Sequence, residues 1–136
     1  MIEYKNVLTT CPYCGSGCAI HLQTLDGALV GVLPAKGHVI SGGSLCIKGW
    51  NAHAFVNHPD RLKKPLIRKN GKLVEAEWDE ALTLVAEKFG QIKAESGPDS
   101  IGFFSSAKCT NEENYILQKF ARAVIGTNNI DHCARL

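Results

Sequence analysis

The chain has 136 residues, 45% of them apolar and 21% charged, with a formal net charge of +2. These are the values of an ordinary globular domain, not of a disordered or low-complexity segment. So small and evenly spread a charge excludes a nucleic-acid footprint, and no apolar run reaches the roughly 20 residues of a membrane span.

The first group in chain order is "CPYCGSGC", which puts Cys11, Cys14 and Cys18 into one short loop. The ten residues ahead of Cys11 include Glu3 and Lys5 and leave no room for a secretory leader. A cytoplasmic setting is therefore expected, where clustered cysteines read as metal ligands or reactive thiols before they read as disulfides. Next, Ile20, Leu22 and Thr24 alternate with His21 and Gln23, and Asp26-Gly27 supplies a turn before Leu29–Leu33 returns, so a hairpin is predicted over 19–33. "AKGHVISGGS" is a glycine-rich loop leading to "LCIKGW", which carries Cys46 and Lys48.

The full spacing is C-x2-C-x3-C-x27-C. Three close ligands can wrap three corners of a compact cluster while the hairpin returns the fourth, so the pattern fits a 4Fe-4S cluster with one thiolate per iron. Gly15 and Gly17 allow a tight wrap and leave backbone N–H groups free to face cluster sulfur. A zinc site is the alternative, but zinc modules usually pair two C-x-x-C knuckles and here Cys46 stands alone. Lys48 lies two residues beyond Cys46, near enough for its ammonium to approach whatever the thiols hold.

"NHPDRLKKP" is a connector broken by Pro59 and Pro65, and a domain boundary is placed near residue 60. The cations Arg61, Lys63, Lys64, Arg68 and Lys69 read as a solvated surface. A second hairpin is predicted around Asn70-Gly71. A helix follows from about Trp78 to Glu95, with Leu82, Val85, Ala86, Phe89 and Ile92 on one face and Gly97-Pro98 as its stop. "SIGFFSS" is then a buried strand. Thr110 and Glu113 form a capping box for a second helix, with an apolar face from Ile116 to Val124 and Gly126 as its close, and "NNIDHCARL" is the next strand. Strand, helix and strand at this spacing begin a parallel α/β layer, whose faces two helices cannot cover. Cys109 is expected to be a small buried hydrophobe, and His21, His38, His53 and His58 to be satisfied hydrogen-bonding groups.

Together with "CPYCGSGC", the stretches "LCIKGW", "HPDRLKKPLIRKNGKLVEAEWDEAL" and "TNEENYILQKFARAVIGTNNIDHCARL" closely resemble the catalytic subunit of molybdenum- or tungsten-dependent formate dehydrogenases, in the bis-pterin oxidoreductase superfamily. The cysteine spacing and C-x-K-G-W segment also suit nitrate reductases, while a cysteine just before A-R-L narrows the resemblance to formate dehydrogenases. It implies an α+β / α/β fold: a small iron-sulfur subdomain of β-hairpins at 1–60, then the start of a parallel α/β molybdopterin-oxidoreductase domain at 61–136. It further implies that Cys11, Cys14, Cys18 and Cys46 hold a 4Fe-4S cluster, and that Lys48 lies on the electron path between the cluster and one pterin of a bis-molybdopterin guanine dinucleotide carrying Mo or W. Cys133 and Arg135 are placed near the metal pocket. Formate and carbon dioxide are the implied substrate pair, and an iron-sulfur, flavin or hydrogenase subunit the implied acceptor. In this family a cysteine or selenocysteine metal ligand follows directly after "CARL", so the expectation is a chain cut at a selenocysteine codon and inactive alone. A free-standing 4Fe-4S carrier and a zinc-stabilised interaction module remain the alternatives outside this resemblance.

Overall fold

The computed structural model describes residues 1–133. They form two compact units, one of Met1–Arg61 with Ser105–Tyr115 and residues 132–133, the other of Leu62–Phe104 with Ile116–Asp131.

The first unit is built on an antiparallel sheet of β1 (Tyr4–Thr10), β2 (Ala19–Leu25) and β3 (Ala28–Pro34), in that order. β1 pairs with β2 from Tyr4↔Leu25 to Thr10↔Ala19. Residues 11–18, which carry three of the cysteines, are therefore the connection between two paired strands. Composition gave no warning of β1, because all its residues are exposed and it carries no one-sided apolar pattern. The expected β2–β3 hairpin is present, and Asp26 and Gly27 take the left-handed φ values of 49° and 79° that a two-residue turn needs. Beyond the glycine-rich loop, the short helix α1 (Ile47–Trp50) starts directly after Cys46. The core of this unit is Cys11, Ile20, Val32 and Ala52, with Tyr13, Cys18, Leu22 and Leu45 packed on it.

The second unit opens with the hairpin of β4 (Leu66–Lys69) and β5 (Lys72–Glu75), whose turn residues Asn70 and Gly71 both have positive φ. The cations around it are exposed, as expected, and two of them pair with carboxylates: Lys64 with Glu77, and Lys69 with Glu80 at 2.6 Å. α2 (Trp78–Ser96) ends at Gly97, which has a φ of 81°. Phe89 of this helix meets Phe103 and Phe120, with ring centroids 5.8–6.2 Å apart across the trio, a tilted and edge-on arrangement that adds to the area the rings bury. Thr127 is the buried polar residue here, and it is satisfied: its hydroxyl donates to Asp99 Oδ1 at 2.7 Å and accepts the Asn129 N–H at 3.2 Å.

β6 (Phe103–Ser106) and β7 (Ile130–Cys133) form a two-stranded sheet. The Phe103 N–H donates to Asn129 O and the Ala107 N–H to Cys133 O. The partners advance together along both strands, so the pair is parallel, as the strand-helix-strand spacing implies. The helix between them, α3 (Asn111–Lys119), starts on the predicted capping box: the Glu113 N–H donates to Thr110 Oγ1 at 3.2 Å, and the Thr110 N–H donates to Glu113 Oε2 at 2.7 Å. Its continuation departs from expectation, because Phe120–Ile125 is wound as a π-helix. The wider turn leaves Ala121 and Ile125 both buried, at 0% and 3% exposure.

Gly126 closes this segment at φ 90°, donating its N–H to Ala121 O at 2.9 Å. Replacing it with alanine forces a Cβ into the left-handed region and is expected to destabilise the protein by about 1 kcal/mol. Thr110→Ala, which removes half of the capping box, is expected to cost about the same. Urea unfolding midpoints measure both effects, with Asn70→Gly, neutral for the turn, as the control.

Candidate metal centre

The loop between β1 and β2 is closed at its neck by the Cys11 N–H, which donates to Cys18 O at 2.8 Å. Within it, Tyr13 sits edge-on to Phe55 with centroids 5.9 Å apart, and Phe55 in turn carries the Arg61 guanidinium 5.0 Å above its ring. One of the two side chains between the first two cysteines is thus anchored from outside the loop. Gly17 takes a φ of 65°, which lets the chain reverse direction one residue before Cys18.

The four thiols differ in environment. Cys11 is 6% exposed, and burial pushes its thiol up from the ordinary range; a Tyr13 N–H opposes that, while Cys18, Cys14 and Cys46 add repulsion. Cys14 is held below the ordinary range, chiefly by the Ser16 hydroxyl and then the Ser16 N–H, with the Lys48 ammonium contributing. Cys46 stands just before α1, where the N–H groups of Gly49 and Lys48 lower its thiol, again with help from the Lys48 charge. The other three sulfur atoms are therefore within electrostatic reach of Cys11, and Lys48 is within reach of two of the four. Among the described residues, no three His, Cys, Asp or Glu side chains converge closely enough to ligate a single ion.

Two further cysteines, Cys109 and Cys133, complete the six. Cys109 is half-buried, not the fully buried hydrophobe expected. Cys133, at the end of β7, has its Sγ 3.3 Å from Ser106 Oγ, and that hydroxyl with the Ala107 N–H holds its thiol below the ordinary range. Arg135 lies outside the described residues. Two histidines behave as expected, His38 Nδ1 accepting the Ile40 N–H and His58 Nδ1 the Asp60 N–H. His21 and His53 do not, since Nδ1 of each is buried without a partner. A contact that sequence reasoning missed ties α3 to the cysteine loop: Asn111 Nδ2 donates to Gly15 O at 2.9 Å across 96 residues. Nothing in a single sequence signals such a pairing.

Residues 61–136 match the family model described as molybdopterin oxidoreductase, and residues 4–58 match the molybdopterin oxidoreductase Fe4S4 domain. The alpha subunit of F420-dependent formate dehydrogenase 1 from Methanococcus maripaludis is 57% identical over 135 residues, which is 99% of this chain and 19% of that protein. The corresponding F420-dependent subunit from Methanocaldococcus jannaschii is 53% identical over 135 residues, again 99% and 19%. The chain thus spans about a fifth of the length of these curated relatives. Among solved structures, acetylene hydratase from Pelobacter acetylenicus superposes with a TM-score of 0.65 at 24% identity, covering 92% of this chain and 18% of that one. That likeness concerns the fold alone.

Proposed function

Since the chain belongs to the molybdopterin oxidoreductase family, we propose that it is the cluster-bearing part, with the beginning of the pterin domain, of the catalytic subunit of a formate dehydrogenase. The observation that carries this reading is the 57% identity, over 99% of the chain, to a formate dehydrogenase alpha subunit. When bound, a 4Fe-4S cluster passes single electrons and a molybdenum or tungsten bis-pterin centre takes up the two electrons released with one proton as formate becomes carbon dioxide.

The donor set suits such a cluster. Cys11, Cys14, Cys18 and Cys46 offer four soft thiols and no competing imidazole or carboxylate ligand. Ser16, Lys48 and Gly49 direct N–H groups at two of the sulfurs, which stabilises thiolate and lowers the negative charge the ligands present. Cys11 sits in the apolar core, where it excludes water from one side of the loop. Lys48 places a cation beside Cys14 and Cys46 and is the residue we assign to the electron path toward the pterin. The six free thiols fit a reducing cytoplasm. No helix among the described residues is long and apolar enough to cross a membrane. By analogy with the F420-dependent relatives, the acceptor is a deazaflavin-linked subunit.

The test is anaerobic purification of the whole enzyme containing this chain, with metal analysis and assays against formate and nitrate. Iron with molybdenum or tungsten, and reduction of the enzyme by formate, are expected. One zinc per chain without iron would establish the interaction module instead, and turnover of nitrate but not formate would move the enzyme to another branch of the family. Iron without any pterin metal would leave a plain electron carrier.

A further inference from the structure

Asn111 is the first residue of α3, and its side chain reaches back to the cysteine loop. Nδ2 donates to Gly15 O at 2.9 Å, and a Cβ built on Gly15 would stand 2.7 Å from Asn111 Oδ1. That approach is closer than a methyl group tolerates, so position 15 admits glycine only while Asn111 stays where it is. Asn111 in turn is held by a fixed local frame. The Thr110–Glu113 capping box sets the start of the helix, and Asn114 Nδ2 donates to the carbonyls of Ser106 and Thr110 at 3.2 and 3.0 Å. Ser106 also touches Cys133 through its hydroxyl. The segment Ser105–Tyr115 is compact with Met1–Arg61 in one unit, so the contact does not depend on how the two units are arranged.

We propose that Asn111 is a positioning residue for the iron-sulfur loop: by holding the Gly15 carbonyl it orients the Gly15-Ser16-Gly17 backbone, and with it the Ser16 N–H and hydroxyl that face Cys14. The inference rests on the cluster reading above, because it concerns how the loop presents its donors. Its physical content is separate: one hydrogen bond fixes the peptide plane that carries the Ser16 N–H, and a side chain at position 15 would require the Asn111 amide to shift. Two of the three residues that separate Cys14 from Cys18 are glycines, so the loop has little rigidity of its own and the restraint must come from outside it.

The experiment uses the whole holoenzyme with Asn111→Ala, Asn111→Asp and Gly15→Ala, singly and with Gly15→Ala combined with Asn111→Ala. Asn111→Asp is the discriminating variant. A carboxylate in the first turn favours the helix, yet it has no N–H for Gly15 and sets oxygen against oxygen. The readouts are the rate of iron loss to a chelator, the EPR signal and midpoint potential of the reduced cluster, and hydrogen exchange over residues 11–18. Losing one such bond is expected to speed iron loss about fivefold, the equivalent of roughly 1 kcal/mol. Asn111→Asp should be at least as labile as Asn111→Ala, with a shifted EPR signal and unchanged thermal unfolding. Adding Gly15→Ala to Asn111→Ala should have less effect than Gly15→Ala alone, because the clash is gone. Wild-type spectra and iron loss in both Asn111 variants, or strictly additive effects in the double variant, would overturn the proposal. If the wild-type protein held no cluster, the functional reading would fall. Exchange over residues 11–18 would still decide between the pin and its absence.

Discussion

On the proposed reading, Cys11→Ser in the whole enzyme is expected to take the iron from about four per chain to below one and to abolish electron transfer from formate to an external acceptor. Three effects act together at this position. A serine hydroxyl is a hard and weakly acidic ligand where iron-sulfur chemistry requires a soft thiolate. The site is 6% exposed and belongs to the core of Ile20, Val32 and Ala52, so an unligated hydroxyl there stays largely out of water and costs about 1–3 kcal/mol. Finally, position 11 is the neck of the loop, where its N–H meets Cys18 O, so disorder there reaches Cys14 and Cys18. Cys109→Ser is the control. That residue is half-buried and lies outside the C-x2-C-x3-C-x27-C pattern, and its variant should keep the full iron content. Iron analysis with the visible spectrum of the anaerobic protein decides the matter. Full iron in Cys11→Ser would remove Cys11 from the ligand set, and iron loss in Cys109→Ser would put Cys109 into it.

How much of this was legible in the sequence depended on the range of the interactions involved. Local signals survived folding: Asp26-Gly27 and Asn70-Gly71 made their turns, Gly97 and Gly126 stopped their helices, and Thr110 with Glu113 formed the capping box. Each depends on a backbone conformation or hydrogen bond within a few residues, which composition reports directly. The cysteine spacing pointed to a candidate metal centre, because ligand chemistry is written in residue type. β1 was not legible, since a strand exposed along its whole length has no apolar period to detect and is held by its pairing with β2. The π-wound end of the second helix was missed for a related reason: 3.6-residue periodicity from Ile116 to Val124 described an ordinary helix, and only packing decides that Ala121 and Ile125 are both buried. The unpartnered Nδ1 atoms of His21 and His53 and the contact of Asn111 with Gly15 are tertiary facts of the same kind.

On the proposed reading, Lys48→Ala is expected to leave the iron content intact and to make reduction of the cluster about tenfold less favourable. Lys48 lowers the thiols of both Cys14 and Cys46 through its charge, so its ammonium acts on the sulfurs of two of the proposed ligands. Adding an electron makes a thiolate-ligated cluster more negative, and a nearby cation stabilises that reduced form; removing the cation lowers the reduction potential. At close range a unit charge contributes about 1 kcal/mol in water and about 4 kcal/mol at an effective dielectric of 20. Because Lys48 is exposed in this chain, the lower part of that range applies, and about 1.4 kcal/mol corresponds to the tenfold change. The same exposure predicts that salt shrinks the difference between Lys48→Ala and wild type, whereas a purely steric role would be insensitive to ionic strength. Lys48→Arg separates charge from shape: it should restore the potential, and any slowing that persists belongs to the geometry of the ammonium. Spectroelectrochemical titration with rapid mixing against formate measures both quantities. An unchanged potential and rate in Lys48→Ala would make Lys48 an ordinary surface lysine and leave the electron path to backbone and cofactor atoms alone.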